Sequence, residues 1–301
     1  MTYVSCSVPE RFVNPLFEVF DGGDFILSSY RDIEEPFARM RIYLESAEAV
    51  EDAKRCLQAA IDVVGVDAAI EVGEIADEDW KFAYRRHFKT EPIGRRLLTV
   101  PVWELEDAKE RWGDSGRQML VLDPGMAFGT GKHETTRACL EFIDEIFAAS
   151  CAVAGRKAPA SFLDMGCGSG ILSIAAAKLG CPVVKGFVVD QEAVDASVEN
   201  AAENGVGVDY AHFALGRNEP LPKKLLPAEG ERFDLVAANI LGPLLIRFAD
   251  EIAPYAASQL ILSGILTELY PDVRAAYEAR GFVEQSTKTI GEWTTGLFLR
   301  G

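Results

Sequence analysis

The sequence predicts an α/β protein in which a parallel sheet covered by helices follows a smaller α+β unit. Three observations predict it. From about residue 118 onward apolar strand-like runs alternate with helical patterns, which is the signature of parallel strands joined by crossover helices. Before residue 77 the element order reads β-α-β-β-α-β. The length of 301 residues suits about two domains.

The N-terminal unit, residues 1–76, begins with a strand at Tyr3–Val8. A helix follows over Pro9–Phe20, with Phe12, Val13, Leu16, Phe17 and Phe20 at helical spacing. The turn cluster Asp21-Gly22-Gly23-Asp24 separates it from strands at Phe25–Arg31 and Ala38–Leu44. Ser46 is expected to cap a helix running through Val64, and Ala69–Ile75 makes the last strand. The order is ferredoxin-like. This unit carries 6 basic and 15 acidic residues, a net charge of -9, and no catalytic constellation, so it reads as a recognition module.

Residues 77–117 read as a linker helix and connector. Asp77-Glu78-Asp79 suits a helix start, and Arg96–Pro101 suits a strand. The rest of the chain, 118–301, is expected to hold the chemistry.

Composition excludes several function classes. Forty-seven acidic residues against 30 basic ones give a formal charge of -17, which argues against a broad nucleic-acid surface. The same charge permits a basic protein partner. No stretch approaches 18 consecutive apolar residues, so no membrane span is expected. The opening MTYVSCSVPERF lacks a basic n-region and an apolar h-region, and the expectation is a cytoplasmic protein with reduced thiols. Six cysteines without a C-x-x-C pair and only three histidines make a metal site unexpected.

Within the second part the strand Phe162–Met165 runs into Gly166-Cys167-Gly168-Ser169-Gly170, and a helix follows to Gly180. Such a turn lets a ligand approach the backbone at a helix N-terminus. The spacing is G-x-G-x-G, with Ile171 where the dinucleotide fingerprint needs its third glycine. Asp164, just before it, suits a ligand of positive charge, and the whole pattern points to S-adenosylmethionine (AdoMet). The next strand, Gly186–Asp190, ends on an acid where a ribose diol is held in such sheets. A third strand, Phe233–Ala238, delivers Asn239 to a loop closed by Gly242-Pro243. Upstream, the stretch from Asp123 to Thr136 is rich in Gly and Thr and reads as a loop folding over the ligand. It includes Phe128, Gly129, Thr135 and Thr136, together with His133, a lone histidine more in keeping with a structural role than with a base.

These segments resemble the ribosomal protein L11 methyltransferases. The resemblance rests on Asp123-Pro124-Gly125-Met126-Ala127-Phe128-Gly129-Thr130-Gly131-Lys132-His133-Glu134-Thr135-Thr136, on Gly166–Leu172, and on Ala238-Asn239-Ile240-Leu241. Leu262–Leu266, Gly291-Glu292-Trp293 and the connector positions Trp80, Phe88, Gly94 and Trp103 also match. It covers roughly residues 77–301 by motif. It implies a class I, Rossmann-like methyltransferase with a seven-stranded sheet and a movable N-terminal recognition domain. It further implies AdoMet as cofactor and, as substrate, a basic large-subunit ribosomal protein, methylated on lysine side chains and the N-terminal amine. No membrane or direct nucleic-acid partner is implied, and a monomer is expected.

Carried over by position, the resemblance implies AdoMet binding by Thr136, Gly166 and Asn239. Phe128, Gly129, Thr135, Asp164, Gly168 and Gly170 are expected around the same ligand. Asn239 and the backbone as far as Leu241 are expected to orient the amine. The sequence departs from the family at the ribose, where an ungapped alignment sets Val188 on the ribose-binding aspartate and Asp190 on a second acidic position. The expectation is that Asp190 takes over the ribose or that backbone holds it. Ala148–Ala160 reads as an insertion. Two competing readings are a methyltransferase acting on another protein or a small amine, and a non-catalytic module that keeps the fold.

Overall fold

The computed structural model describes residues 2–20, 25, 27–30, 37–44, 49–74, 88–123, 133–152, 157–216, 219–227 and 232–301. The chain forms two compact units, Met1–His87 and Phe88–Gly301.

The first unit is built on strands β1 (Thr2–Pro9), β2 (Leu27–Tyr30), β3 (Phe37–Leu44) and β4 (Ile70–Glu74). Their order is β2-β3-β1-β4, with every neighbouring pair antiparallel. Helices α1 (Val13–Phe20) and α2 (Val50–Val64) complete the ferredoxin-like pattern. The alternation Phe-Ala-Arg-Met-Arg-Ile-Tyr-Leu in β3 turns Ala38, Met40, Ile42 and Leu44 inward. Ala53, Leu57, Ala60 and Ile61 of α2 meet them from one helix face. Helix α2 opens at Val50 with Ala49 in the cap position, making no side-chain cap bond. Ser46, read as that cap, lies outside the described residues, as do the turn 21–24 and Ile75.

The second unit contains a seven-stranded sheet. Its strands are β8 (Ser161–Met165), β9 (Val183–Val188), β10 (Asp209–His212), β11 (Phe233–Asn239), β12 (Ala256–Leu266), β13 (Phe282–Ile290) and β14 (Trp293–Arg300). The order is β10-β9-β8-β11-β12-β14-β13; β8 to β12 run parallel and β14 is antiparallel to both its neighbours. Helices α4 (Glu134–Ala152), α5 (Ile171–Lys178) and α6 (Gln191–Glu203) meet one apolar layer, with Phe142, Phe147, Ile174 and Val194 buried or nearly so. Helices α7 (Gly242–Arg247), α8 (Ala249–Ile252) and α9 (Tyr270–Glu278) meet the other, around Leu245, Ile252, Tyr277 and Phe298. The chain steps from β8 outward to β9 and β10, then returns to β11 on the other side. The β8–β11 junction is therefore the topological switch point, where open α/β sheets bind ligands. The stretch read as an insertion from Ala148 begins as the last turn of α4. Among the described residues no helix is long and apolar enough to cross a membrane.

The expected connector does not stay separate. Residues 77–87 lie outside the described set, but 88–117 fold into the second unit. Strands β5 (Glu91–Ile93), β6 (Leu97–Pro101) and β7 (Gln118–Leu122) form a three-stranded sheet, with α3 (Leu105–Trp112) in the β6–β7 crossover. The cause is a buried carboxylate in α4. Asp144 accepts from the Arg95 backbone N–H at 2.7 Å and from Arg96 Nε at 2.8 Å, while Arg96 Nη2 donates to the Asp144 carbonyl at 2.6 Å. Ile93 and Leu97 then join the same apolar layer as Phe142 and Phe147. Asp144→Asn keeps the shape but turns an amide N–H₂ toward one of two donors. It is expected to lower stability by about 2 kcal/mol, read as a lower denaturant midpoint at unchanged slope.

Candidate active site

A cavity of about 450 Å³ opens at the carboxyl ends of β8, β9 and β11. Met165, Gly166 and Gly168 line it from the glycine turn, Phe187, Val188 and Val189 from the end of β9, and Asn239, Ile240 and Leu241 from the end of β11. His133, Thr135, Leu215, Leu244, Phe248, Gly264 and Trp293 close its remaining sides. The wall is mainly apolar, with a few polar groups converging on it, the usual makeup of a small-molecule site.

The glycine turn is fixed from below. Gly166, Gly168 and Gly170 have φ of 74°, 53° and 79°. The N–H groups of Gly166 and Cys167 both donate to the Phe187 carbonyl, at 2.8 and 3.0 Å, which ties the turn to β9. Gly166 and Gly168 line the cavity. Gly170 is not among the lining residues and serves as the N-cap of α5.

Asp164 does not face the ligand space either, which corrects the sequence expectation. It is 1% exposed, and its Oδ2 accepts from the Ser173 N–H at 3.1 Å and the Ser173 Oγ–H at 2.7 Å. Strand alternation turns its side chain beneath the turn, where a carboxylate at the start of α5 offsets unpaired N–H groups and the positive end of the helix dipole. Burial pushes the carboxyl up to about 6, against the lowering effect of the Ser173 hydrogen bonds. An unfolded aspartate titrates near ~3.9. The group therefore adds stability below about pH 4 and loses that contribution as pH rises through about 6, a change of about 3 kcal/mol. Asp164→Asn, titrated by denaturant unfolding at acid and neutral pH, is expected to flatten this limb.

Asp190 is the second correction. It is exposed, its Oδ1 accepts from the Glu192 N–H at 3.0 Å, and it caps α6. It is not among the lining residues, whereas Val188 and Val189 are.

The Asn239 turn meets the start of α4. Asn239 Nδ2 donates to Thr136 Oγ1 at 3.4 Å, and Thr135 and Thr136 are both buried. Ser263 Oγ donates to the Thr135 carbonyl at 3.2 Å and lies 2.6 Å from Thr295 Oγ1, so β12 and β14 hold that helix start in place. Leu241 is 61% exposed at the mouth of the cavity. His133 Nδ1 lies 2.8 Å from Thr135 Oγ1, and its ring stands edge-on to Trp293 at 5.2 Å. Phe128 and Gly129 fall outside the described residues.

Sequence reasoning missed Leu215, Leu244 and Phe248, because apolar residues at core spacing give no sign that they face a cavity. Ile240 and Gly264 were noticed as motif positions without a role. Two glycines clasp Ile240: a Cβ on Gly166 would come 2.6 Å from its Cγ2, and a Cβ on Gly264 2.3 Å from its carbonyl oxygen. Bare backbone at 166 and 264 thus lets the β11 turn sit against both neighbours.

Comparisons with known proteins agree with this architecture. The family model described as "Ribosomal protein L11 methyltransferase (PrmA)" matches residues 25–299. The chain is 42% identical over 222 residues to the ribosomal protein L11 methyltransferase of Geobacter sulfurreducens, a stretch covering 73% of this chain and 66% of that protein. It is 35% identical over 311 residues to the protein of that name from Citrifermentans bemidjiense, covering 97% of this chain and 95% of the relative. A crystal structure of the ribosomal protein L11 methylase from Lactobacillus delbrueckii subsp. bulgaricus superposes with a TM-score of 0.58 at 28% identity, covering 71% of this chain and 99% of that one. From the switch-point cavity to the sequence match along nearly its whole length, the chain belongs to the ribosomal protein L11 methyltransferase family.

Proposed function

We propose that the protein transfers methyl groups from AdoMet to amino groups of ribosomal protein L11, at lysine side chains and the N-terminal amine. One observation carries the reading: the glycine turn and the Asn239–Leu241 turn line one cavity at the switch point, in a chain of this family. The residues fit a nucleoside sulfonium. Gly166 and Gly168 leave backbone open to close approach, the α5 start adds a field for a carboxylate, and the apolar walls suit an adenine. When bound, AdoMet supplies an activated methyl group on a positive sulfur.

The chain's own residues do the rest. With Asn239 Nδ2 turned to Thr136, its Oδ1 is the end of the amide left to accept an N–H from the incoming amine. The Leu241 carbonyl already accepts from the Leu244 and Leu245 N–H groups at 2.9 and 3.2 Å, so the Asn239 side chain carries that contact. An amine must be neutral to attack, and a free lysine titrates near ~10.4. Transfer into a cavity walled by Leu241, Leu244, Phe248 and Trp293 disfavours the ammonium form and lowers that value. Positioning of the two reactants contributes about 7–11 kcal/mol to such reactions, so no dedicated base is required. The acidic N-terminal unit serves as the electrostatic capture surface for the basic substrate, and its hold weakens as salt rises. We place the reaction in the cytoplasm.

The test is to incubate the purified protein with AdoMet and L11 and to map methyl increments by mass spectrometry of peptides. Increments on lysines and the N-terminal amine are expected. AdoMet binding without any methyl on L11 would redirect the activity to another protein or small amine.

A further inference from the structure

The end of β9 is the least ordinary part of the cavity. In doubly wound sheets the strand after the glycine turn ordinarily ends near an acid that grips a ribose diol. Here it ends Phe187-Val188, with Val189 next; all three residues line the cavity, and Val189 is 64% exposed. Among the described residues no carboxylate lines the cavity. The next acid along the chain, Asp190, caps α6 through Oδ1, which accepts from the Glu192 N–H, and is not among the lining residues.

The backbone at this strand end is also engaged. The Phe187 carbonyl accepts from two N–H groups, those of Gly166 and Cys167, at 2.8 and 3.0 Å. The Val188 carbonyl accepts from the Phe213 N–H at 3.0 Å. A ribose set against this rim meets two valine side chains and carbonyls that already have donors. Its hydroxyls keep their hydrogen bonds by staying in water, which the exposed Val189 rim allows.

We infer that Val188 is a specificity-determining residue that frees the cofactor site from reading the ribose diol, so the protein accepts sulfonium nucleosides altered at the 2′ or 3′ position as readily as AdoMet. The inference rests on the AdoMet reading above. It assigns recognition to the glycine turn, the Asn239 turn and the apolar walls, and none to the sugar hydroxyls.

The test is calorimetric binding of S-adenosylhomocysteine and its 2′-deoxy and 3′-deoxy forms to the wild-type protein and to Val188→Asp. In the wild type the three affinities are expected to agree within about threefold, since lost hydroxyls cost no protein contact. Val188→Asp is expected to bind the diol form roughly tenfold or more tighter and to discriminate against both deoxy forms by a similar factor. A tenfold loss on the wild type with either deoxy form overturns the inference and leaves the cofactor reading intact. A folded Val188→Asp with no gain for the diol form overturns the role of Val188. If neither protein binds any of the three nucleosides, the cofactor reading falls and takes this inference with it. Should Val188→Asp fail to fold, the wild-type series decides the matter unaided.

Discussion

Alanine at position 239 is expected to slow methyl transfer on the order of 10²-fold while the protein stays folded. Asn239 ends β11 in register with Ser263 of β12, so the strand fixes its backbone without help from the side chain. The side chain is half-buried, and its bond to Thr136 is long at 3.4 Å, so truncation costs little packing and no strong hydrogen bond. What truncation removes is the acceptor proposed for the amine N–H. Loss of that contact lets the nucleophile drift from the line of transfer, and misplacement by about 1 Å costs roughly 10² in rate. Single-turnover rates on L11 at saturating AdoMet, read beside a thermal melt, check the prediction. A rate within about threefold of wild type would remove Asn239 from the transfer step. A loss confined to KM would make it a binding residue and no more.

The short-range features of this site were legible in the sequence. A strand running into three closely spaced glycines, and a strand delivering Asn239 to a Gly-Pro turn, are local patterns, and both turns line one cavity. The two acids were misread because their partners are not where the local pattern points. Asp164 reaches Ser173, nine residues on, as a tertiary cap under α5; ligand-facing and helix-facing acids look alike before a glycine turn. Asp190 precedes Gln191-Glu192 and a helix, which is as much a capping arrangement as a ribose site. The 88–117 stretch looked like a connector because its charges balance and its apolar runs are short. Its attachment depends on Asp144, some fifty residues away, and no spacing rule links them. Phe248 and Leu215 follow ordinary core spacing and become cavity walls only once α7 is set against β11.

Gly264→Ala is expected to lower stability by about 4 kcal/mol. Gly264 has φ +80° and sits where the β12–β14 register shifts, between Leu262 and Ile265. An L side chain in that conformation costs about 1–2 kcal/mol by itself. Its Cβ would also lie 2.3 Å from the Ile240 carbonyl oxygen and 2.7 Å from the carbonyl carbon, and backbone cannot rotate away as a side chain can. Either β12 or the Asn239-Ile240-Leu241 turn must move. On its other side Ile240 packs close to Gly166, with Cγ2 at 2.6 Å from where a Cβ on that glycine would be. Movement of the turn therefore presses on the glycine loop and carries Asn239 off its place beside Thr136. The same substitution should then show two effects: a lowered melting temperature, and in the surviving folded protein a transfer rate reduced as in Asn239→Ala. Gly166→Ala gives the contrast, because there the obstacle is a methyl group of Ile240 that a rotamer change can relieve, and a smaller loss of stability is expected. If Gly264→Ala melts with the wild type and transfers methyl groups at its rate, the clasp on Ile240 does not position Asn239, and the geometry of the turn must be held by the Gly242-Pro243 start of α7 instead.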